Sequence, residues 1–182
     1  MRASVACRNP PDALHLQRSE IPPAGGTFMT HTLYHAAVFL YASVMAIAFG
    51  ATVYETLVVH PAWSRQLPAS IEGFANNPAS RLNLPAFWVP TAPLLVLSGF
   101  LAVGMAIAAE RETTLLVFSV GSATAAVVWT LIYFRPTVTR FMTDFANIPA
   151  ATLDAAVRRW IALNYLRLVL VTMAWLGVMH AL

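Results

Sequence analysis

Apolar residues gather into four long runs, at about residues 32–59, 86–109, 114–134 and 152–180, separated by connections rich in polar residues, proline and arginine. Each run reaches the roughly 20 residues that a helix needs to cross a hydrocarbon layer about 30 Å thick. The pattern predicts an all-α fold: a four-helix transmembrane bundle, with both termini on one side and the two longer connections on the other.

Finer signals set the expected boundaries. His60-Pro61 should end the first span, because proline has no N–H with which to continue the helix. Pro68 to Phe74 reads as a short interfacial helix in the first long loop, and Glu110-Arg111-Glu112 as a tight turn. Thr152 is a suitable N-cap for the fourth helix, which should run an amphipathic turn or two before Trp160. Ser98, Ala102 and Ala106 recur every four residues, as do Gly121 and Ala125, a spacing that lets helices approach closely. Residues 1–28 hold Pro10, Pro11, Pro22, Pro23, Gly25 and Gly26 without the apolar centre of a signal peptide, and read as a disordered leader. Met29, at the edge of the apolar pattern, is a candidate natural start, and residues 29–182 form a single four-span domain.

Composition agrees with a membrane protein. The chain is 58% hydrophobic and 10% charged, with a mean hydropathy of +0.65, where a soluble domain carries about 25% charged residues. The net charge of +3 comes from arginine alone, since no lysine occurs. The arginines are scattered rather than gathered, which argues against nucleic-acid binding. Arg65, Arg81, Arg135, Arg140, Arg158 and Arg159 lie in or beside the longer connections, against Arg111 in the short turn, so the positive-inside rule puts the longer loops in the cytoplasm. Lysine-free, alanine-rich usage fits a GC-rich bacterial genome and hence an inner membrane. The single cysteine, Cys7, allows no intrachain disulfide.

Candidate chemistry gathers at one end. Trp160, Asn164 and Arg167 share a face of the fourth helix at spacings of four and three residues. Arg167 lies roughly 10 Å beyond the interfacial Trp160, where a charge costs about 2.5 to 3.5 kcal/mol on insertion scales, so it should face protein or water. Helices one and three end, and two and four begin, on the same side. That brings Glu55, His60, Trp88, Trp129, Arg135, Trp160, Asn164 and Arg167 to one half of the bundle. Glu55 precedes His60 by about 7 Å of helix, which matches the depth of Arg167, and a Glu55–Arg167 ion pair is expected, with Arg135 the second-choice partner. Such a pair can lock two helices together, with Asn164 bonding between helices and the tryptophans as interfacial anchors, or it can form a site. Its desolvation cost is weak support for stability as the sole purpose.

Metal chemistry is limited by histidine supply. At the long-loop end only His60 is present, so Glu55 and His60 would need further donors. At the other end His31 and His35 are one turn apart and His180 closes the fourth helix, so three imidazoles could meet on zinc, copper or haem. Interfacial histidines without a ligand are the plainer reading, and no cofactor is predicted, though haem or metal is not excluded. Neither a Gly-rich phosphate loop, a GxSxG elbow, an HExxH motif nor an inverted repeat is present.

Tyr54-Glu55, Pro61-Ala62-Trp63, Pro68-Ala69-Ser70, Phe87-Trp88 with Pro90, Tyr133-Phe134 with Pro136-Thr137, and Arg159-Trp160 with Leu163-Asn164 and Arg167 follow in fixed order. In order and spacing they resemble the small four-helix membrane family labelled domain of unknown function 1772, which is similar to the anthrone oxygenases of polyketide pathways. The resemblance covers about residues 34–179. It implies cofactor-independent insertion of oxygen into an activated aromatic carbon acid. Glu55 or His60 would act as base and Arg167 and Asn164 would hold the oxyanion, in a pocket lined by Trp88, Trp129, Trp160 and Arg135. The competing expectation is a noncatalytic accessory subunit or small-molecule binder. Expected partners are membrane lipid, a lipophilic aromatic or quinone-like molecule and a second copy of the chain.

Overall fold

The computed structural model describes residues 24–76 and 84–182, which are helical almost throughout, with no strand among them. Helix α1 (Ala24–Tyr54) passes through a wide π-helical turn (Glu55–Val59) into α2 (His60–Ser64), followed by the short α3 (Ala69–Asn76). Helix α4 (Leu84–Ala108) returns. Then α5 (Thr114–Trp129) passes through a second π-helical turn (Thr130–Phe134) into α6 (Arg135–Asp144), and a 3-10 turn (Phe145–Asn147) leads to α7 (Ala150–Met179). Four rods are long and apolar enough to cross a membrane: Phe28–Ser64, Pro85–Ala108, Thr114–Asn147 and Ala150–Met179. The expected all-α four-helix bundle is therefore present, with α3 as the expected short helix of the first long loop. Residues 1–23 of the leader lie outside the described residues, and α1 already begins at Ala24.

Two expected helix ends are corrected. Neither His60-Pro61 nor Arg135-Pro136 stops its rod. Ahead of each proline the helix widens by one residue: the His60 N–H bonds the carbonyl of Glu55, and the Arg135 N–H that of Thr130. Spreading the turn gives the proline ring room against the preceding carbonyls, so a residue that breaks an α-helix is absorbed without a break. The first rod therefore continues to Ser64 and the third to Asn147. The fourth helix opens at Ala150 behind Pro149 rather than at a Thr152 cap.

The two halves of the chain thus follow one plan of rod, π-turn, proline, short surface helix and second span. The sequence carries a trace of it. Ala51, Val53, Glu55 and Pro61 recur in spacing as Ala126, Val128, Thr130 and Pro136, and Trp88 and Ala102 as Trp160 and Ala174.

Packing divides into two apolar clusters. The larger, inside the membrane spans, is built on Tyr41, Met45, Ala102, Ala106, Leu116 and Ala174. The buried Ala102, Ala106 and Ser98 confirm that small-residue face, whereas Gly121 and Ala125 are exposed on the outside of α5. A second cluster caps the loop-side end, where Trp63, Ile71, Phe134, Phe141, Leu153 and Trp160 join the rod ends to α3, α6 and the start of α7.

Within the spans one polar fastener ties three helices. The Tyr41 hydroxyl pairs with Ser119 Oγ at 2.9 Å, and Ser119 donates to the Ala174 carbonyl at 2.5 Å. Gly177 permits this approach, since a Cβ there would stand 3.0 Å from Ser119 Cβ and 3.1 Å from the Leu115 carbonyl oxygen. At the short turn α4 closes with Arg111 N–H on the Ala106 carbonyl and Glu110 at φ 53°. Glu112 accepts the Thr114 N–H at 2.7 Å, and hydrogen bonding from the Thr114 side chain, then from this N–H, holds its carboxyl below the usual range.

Gly177→Ala therefore sets a methyl against backbone and should lower stability by about 1 to 3 kcal/mol. Gly104→Ala, where a Cβ meets nothing within 4 Å, should be neutral or stabilising. Thermal unfolding of both variants in detergent checks the contrast.

Candidate functional site

The polar residues of the spans collect where the two apolar clusters meet. Thr52, Glu55, Thr56, His60, Asn164 and Arg167 are all buried there. Each is delivered by a local feature of the chain. Glu55 and Thr130 are the first residues of the two π-turns, and both touch Arg167. The Arg167 Nη2 lies 3.5 Å from Glu55 Oε2, and its Nη1 donates to Thr130 Oγ1 at 3.0 Å. The guanidinium also sits 4.9 Å from the centroid of the Phe134 ring, a cation–π contact that strengthens away from water. From α4, Trp88 Nε1 donates to Glu55 Oε1 at 2.5 Å. All four spans thus contribute to one network, and the expected Glu55–Arg167 pair is its centre.

Above it an aromatic wall closes the loop side. His60 and Phe134 meet Trp160 edge to face at 4.7 and 5.7 Å, and Trp63 lies tilted against Trp160 at 5.4 Å. Trp160 Nε1 donates to the Phe134 carbonyl at 3.3 Å, which fixes the wall to the second π-turn. Trp129 packs on Phe134 at 5.2 Å from the outer side and is half-buried.

Asn164 lies between these layers, one helical turn below Trp160 and one above Arg167. It is 0% exposed, yet neither its Oδ1 nor its Nδ2 has a hydrogen-bond partner. His60 Nδ1 and Arg167 Nε are buried and unpartnered as well. An unmet buried polar group costs about 1 to 3 kcal/mol, so several along one seam need an explanation. Together they offer an amide acceptor, N–H donors and an imidazole nitrogen beside a carboxylate, a set that can bind and polarise a planar molecule carrying oxygen.

The structure brings Glu55, His60, Asn164, Arg167, Trp88 and Trp160 together and leaves Arg135 out. Arg135 is exposed. The π-turn adds one residue ahead of it, which rotates the following side chains by about 100° and turns Phe134 inward in its place. Thr130, Phe134 and Trp63 belong to the site but were not among the expected residues. The signal for Thr130 was its position six residues before Pro136, the same as Glu55 before Pro61. At the opposite end His31, His35 and His180 do not assemble. The His31 Nδ1 is 2.9 Å from Arg111 Nη2, and among the described residues no three histidine, cysteine or acidic side chains could hold a metal ion.

Arg167→Met leaves Glu55 buried without its cation and should cost about 3 to 5 kcal/mol, whereas adding Glu55→Gln to it removes the stranded charge and should recover much of the loss. A double-mutant cycle on detergent unfolding measures that coupling. Trp88→Phe removes a charge-assisted donor and should cost about 1.5 to 3 kcal/mol, read in the same assay. Compared with family models, with curated proteins and with solved structures, the chain matches none.

Proposed function

We propose that the loop-side polar seam binds a lipophilic aromatic or quinone-like small molecule drawn from the membrane. The observation that carries this reading is the unpartnered Asn164 amide, fully buried with His60 Nδ1 and Arg167 Nε also unmet in the same seam. A ligand carbonyl or phenol would satisfy those atoms, and the ring would lie against the aromatic wall of His60, Trp63 and Trp160.

We further propose that the protein is an anthrone-oxygenase-like enzyme, in line with the resemblance carried by Glu55, Trp88, Asn164 and Arg167. In that reaction an activated CH2 between aromatic rings becomes C=O, while O2 supplies one oxygen atom to the product and the other leaves as water. Glu55 takes the first proton from carbon, and the Arg167 guanidinium and Asn164 amide hold the enolate oxygen while O2 attacks the carbanion carbon. The longer loops face the cytoplasm of a bacterial inner membrane in this reading, as the arginine distribution supports.

A binding role without turnover is favoured by one observation: both oxygens of Glu55 are already engaged, one by Trp88 and one by Arg167. Two measurements separate the readings. Aromatic ligands should quench tryptophan fluorescence in purified protein, and Asn164→Leu should weaken that binding at least tenfold while stability stays level or rises, because an unmet amide is replaced by an apolar group of similar size. Loss of stability without loss of binding would instead make Asn164 structural. If the protein is an enzyme, oxygen consumption with an anthrone should fall about 100-fold or more in Glu55→Gln. Binding with no oxygen uptake leaves the binder.

A further inference from the structure

The loop-side end of the bundle carries arginines that the polar seam does not use. Arg65, Arg135, Arg140, Arg158 and Arg159 are all exposed there, and the ion pairs among the described residues are Arg158–Asp154 and Arg167–Glu55. Of the arginines left without a carboxylate, Arg140 has a distinct setting. It lines a cleft of about 370 Å³ between α6 and the start of α7, with Thr137 on its own helix, Thr152 opposite, and apolar walls that include Phe141, Ile148 and Ala156. Neither threonine hydroxyl bonds a described residue, whereas Thr130 and Thr172 each bond a carbonyl of their own helix. The cleft therefore offers an unbalanced cation and two free hydroxyls beside apolar surface.

Depth decides what such a cleft meets. Counted from the short-turn end at about 1.5 Å per residue, a hydrocarbon layer of about 30 Å runs along the third rod from Thr114 to near Phe134, and along α7 from Met179 back to near Arg159. Tyr133 and Trp160 stand at that boundary, as interfacial aromatics do. The cleft residues lie beyond it on both helices, within about 10 Å. That is the level of lipid headgroups, not of hydrocarbon or bulk water.

We propose that the α6–α7 cleft binds the headgroup of an anionic phospholipid. The phosphate meets the Arg140 guanidinium, whose planar fork matches two phosphate oxygens, together with the Thr137 and Thr152 hydroxyls. The glycerol and first acyl carbons lie against Phe141, Ile148 and Ala156. A zwitterionic headgroup carries its own cation beside the phosphate and gains less from Arg140, so the cleft discriminates by lipid charge. Phe141 and Ile148 also pack in the loop-side core, so a bound lipid ties α6 to α7 within the cap. The polar seam takes no part, and this site stands whether or not the seam binds a small molecule.

The test uses full-length protein in neutral detergent, titrated with an equimolar mixture of phosphatidylglycerol and phosphatidylcholine of matched acyl chains, with the first bound lipid identified by native mass spectrometry. Phosphatidylglycerol should be favoured about fivefold, the contribution of one arginine near a membrane surface. Arg140→Gln should erase that preference. Thr152→Trp, at an exposed position on the cleft wall, fills the space with Arg140 still present and should erase it too. Arg65→Gln removes an exposed arginine from the same end but outside the cleft, and should leave the preference intact. Equal binding of the two lipids to the natural protein, or a preference that survives Arg140→Gln or Thr152→Trp, overturns the proposal. A loss in Arg65→Gln as large as that in Arg140→Gln shows a diffuse cationic surface rather than a site, and overturns it as well. Displacement of phosphatidylglycerol by millimolar glycerol phosphate assigns the cleft to a soluble phosphate ester and overturns the lipid.

Discussion

A guanidinium buried among apolar helices demands compensation from whatever surrounds it, and in this protein the compensation for Arg167 involves all four spans. Glu55 supplies the opposite charge, Thr130 an acceptor and Phe134 a π face, while Trp88 binds the remaining oxygen of Glu55. None of these groups is interchangeable with lipid. Separating α1, α5 or α7 from the others strands a charge or a strong donor in hydrocarbon, where no water replaces the lost bond. The network thus fixes the register of the rods, and the two apolar clusters fill in on either side of it.

The two wide turns matter for the same reason. Each begins on a residue that touches Arg167, and each shifts the helix by one position so that a proline can follow. The rods consequently run on past their prolines, and their ends meet α3 and the first turns of α7 in a second core. That cap isolates the polar seam from the loop side with aromatic rings.

Much of this was legible in the chain. Span number and the up-and-down alternation of the helices follow from the apolar runs, and the Glu55–Arg167 pair follows from depth, because Glu55 and Arg167 are set at similar distances along their helices from His60 and Trp160. What escaped was direction rather than distance. Arg135 lies at the right level but faces outward, since a proline was read as a stop when it was the sign of an inserted residue. Gly121 and Ala125 have the spacing of a packed face, and spacing alone does not say whether a face points to a neighbour or to lipid. Trp88 reads as an interfacial anchor, because nothing in the sequence reveals that its indole N–H meets a carboxylate from another span.

The chain order of the central pair has a consequence for biogenesis. Of the four spans, the one carrying Glu55 emerges from the ribosome ahead of the one carrying Arg167, so the carboxylate enters the membrane long before its cation exists. Trp88, on the second span, is the earliest partner that synthesis delivers, and Thr130 awaits the same arginine from the third. The four-helix network is therefore completed only when α7 arrives, and until then the Glu55 carboxylate has no cation to balance it in the bundle.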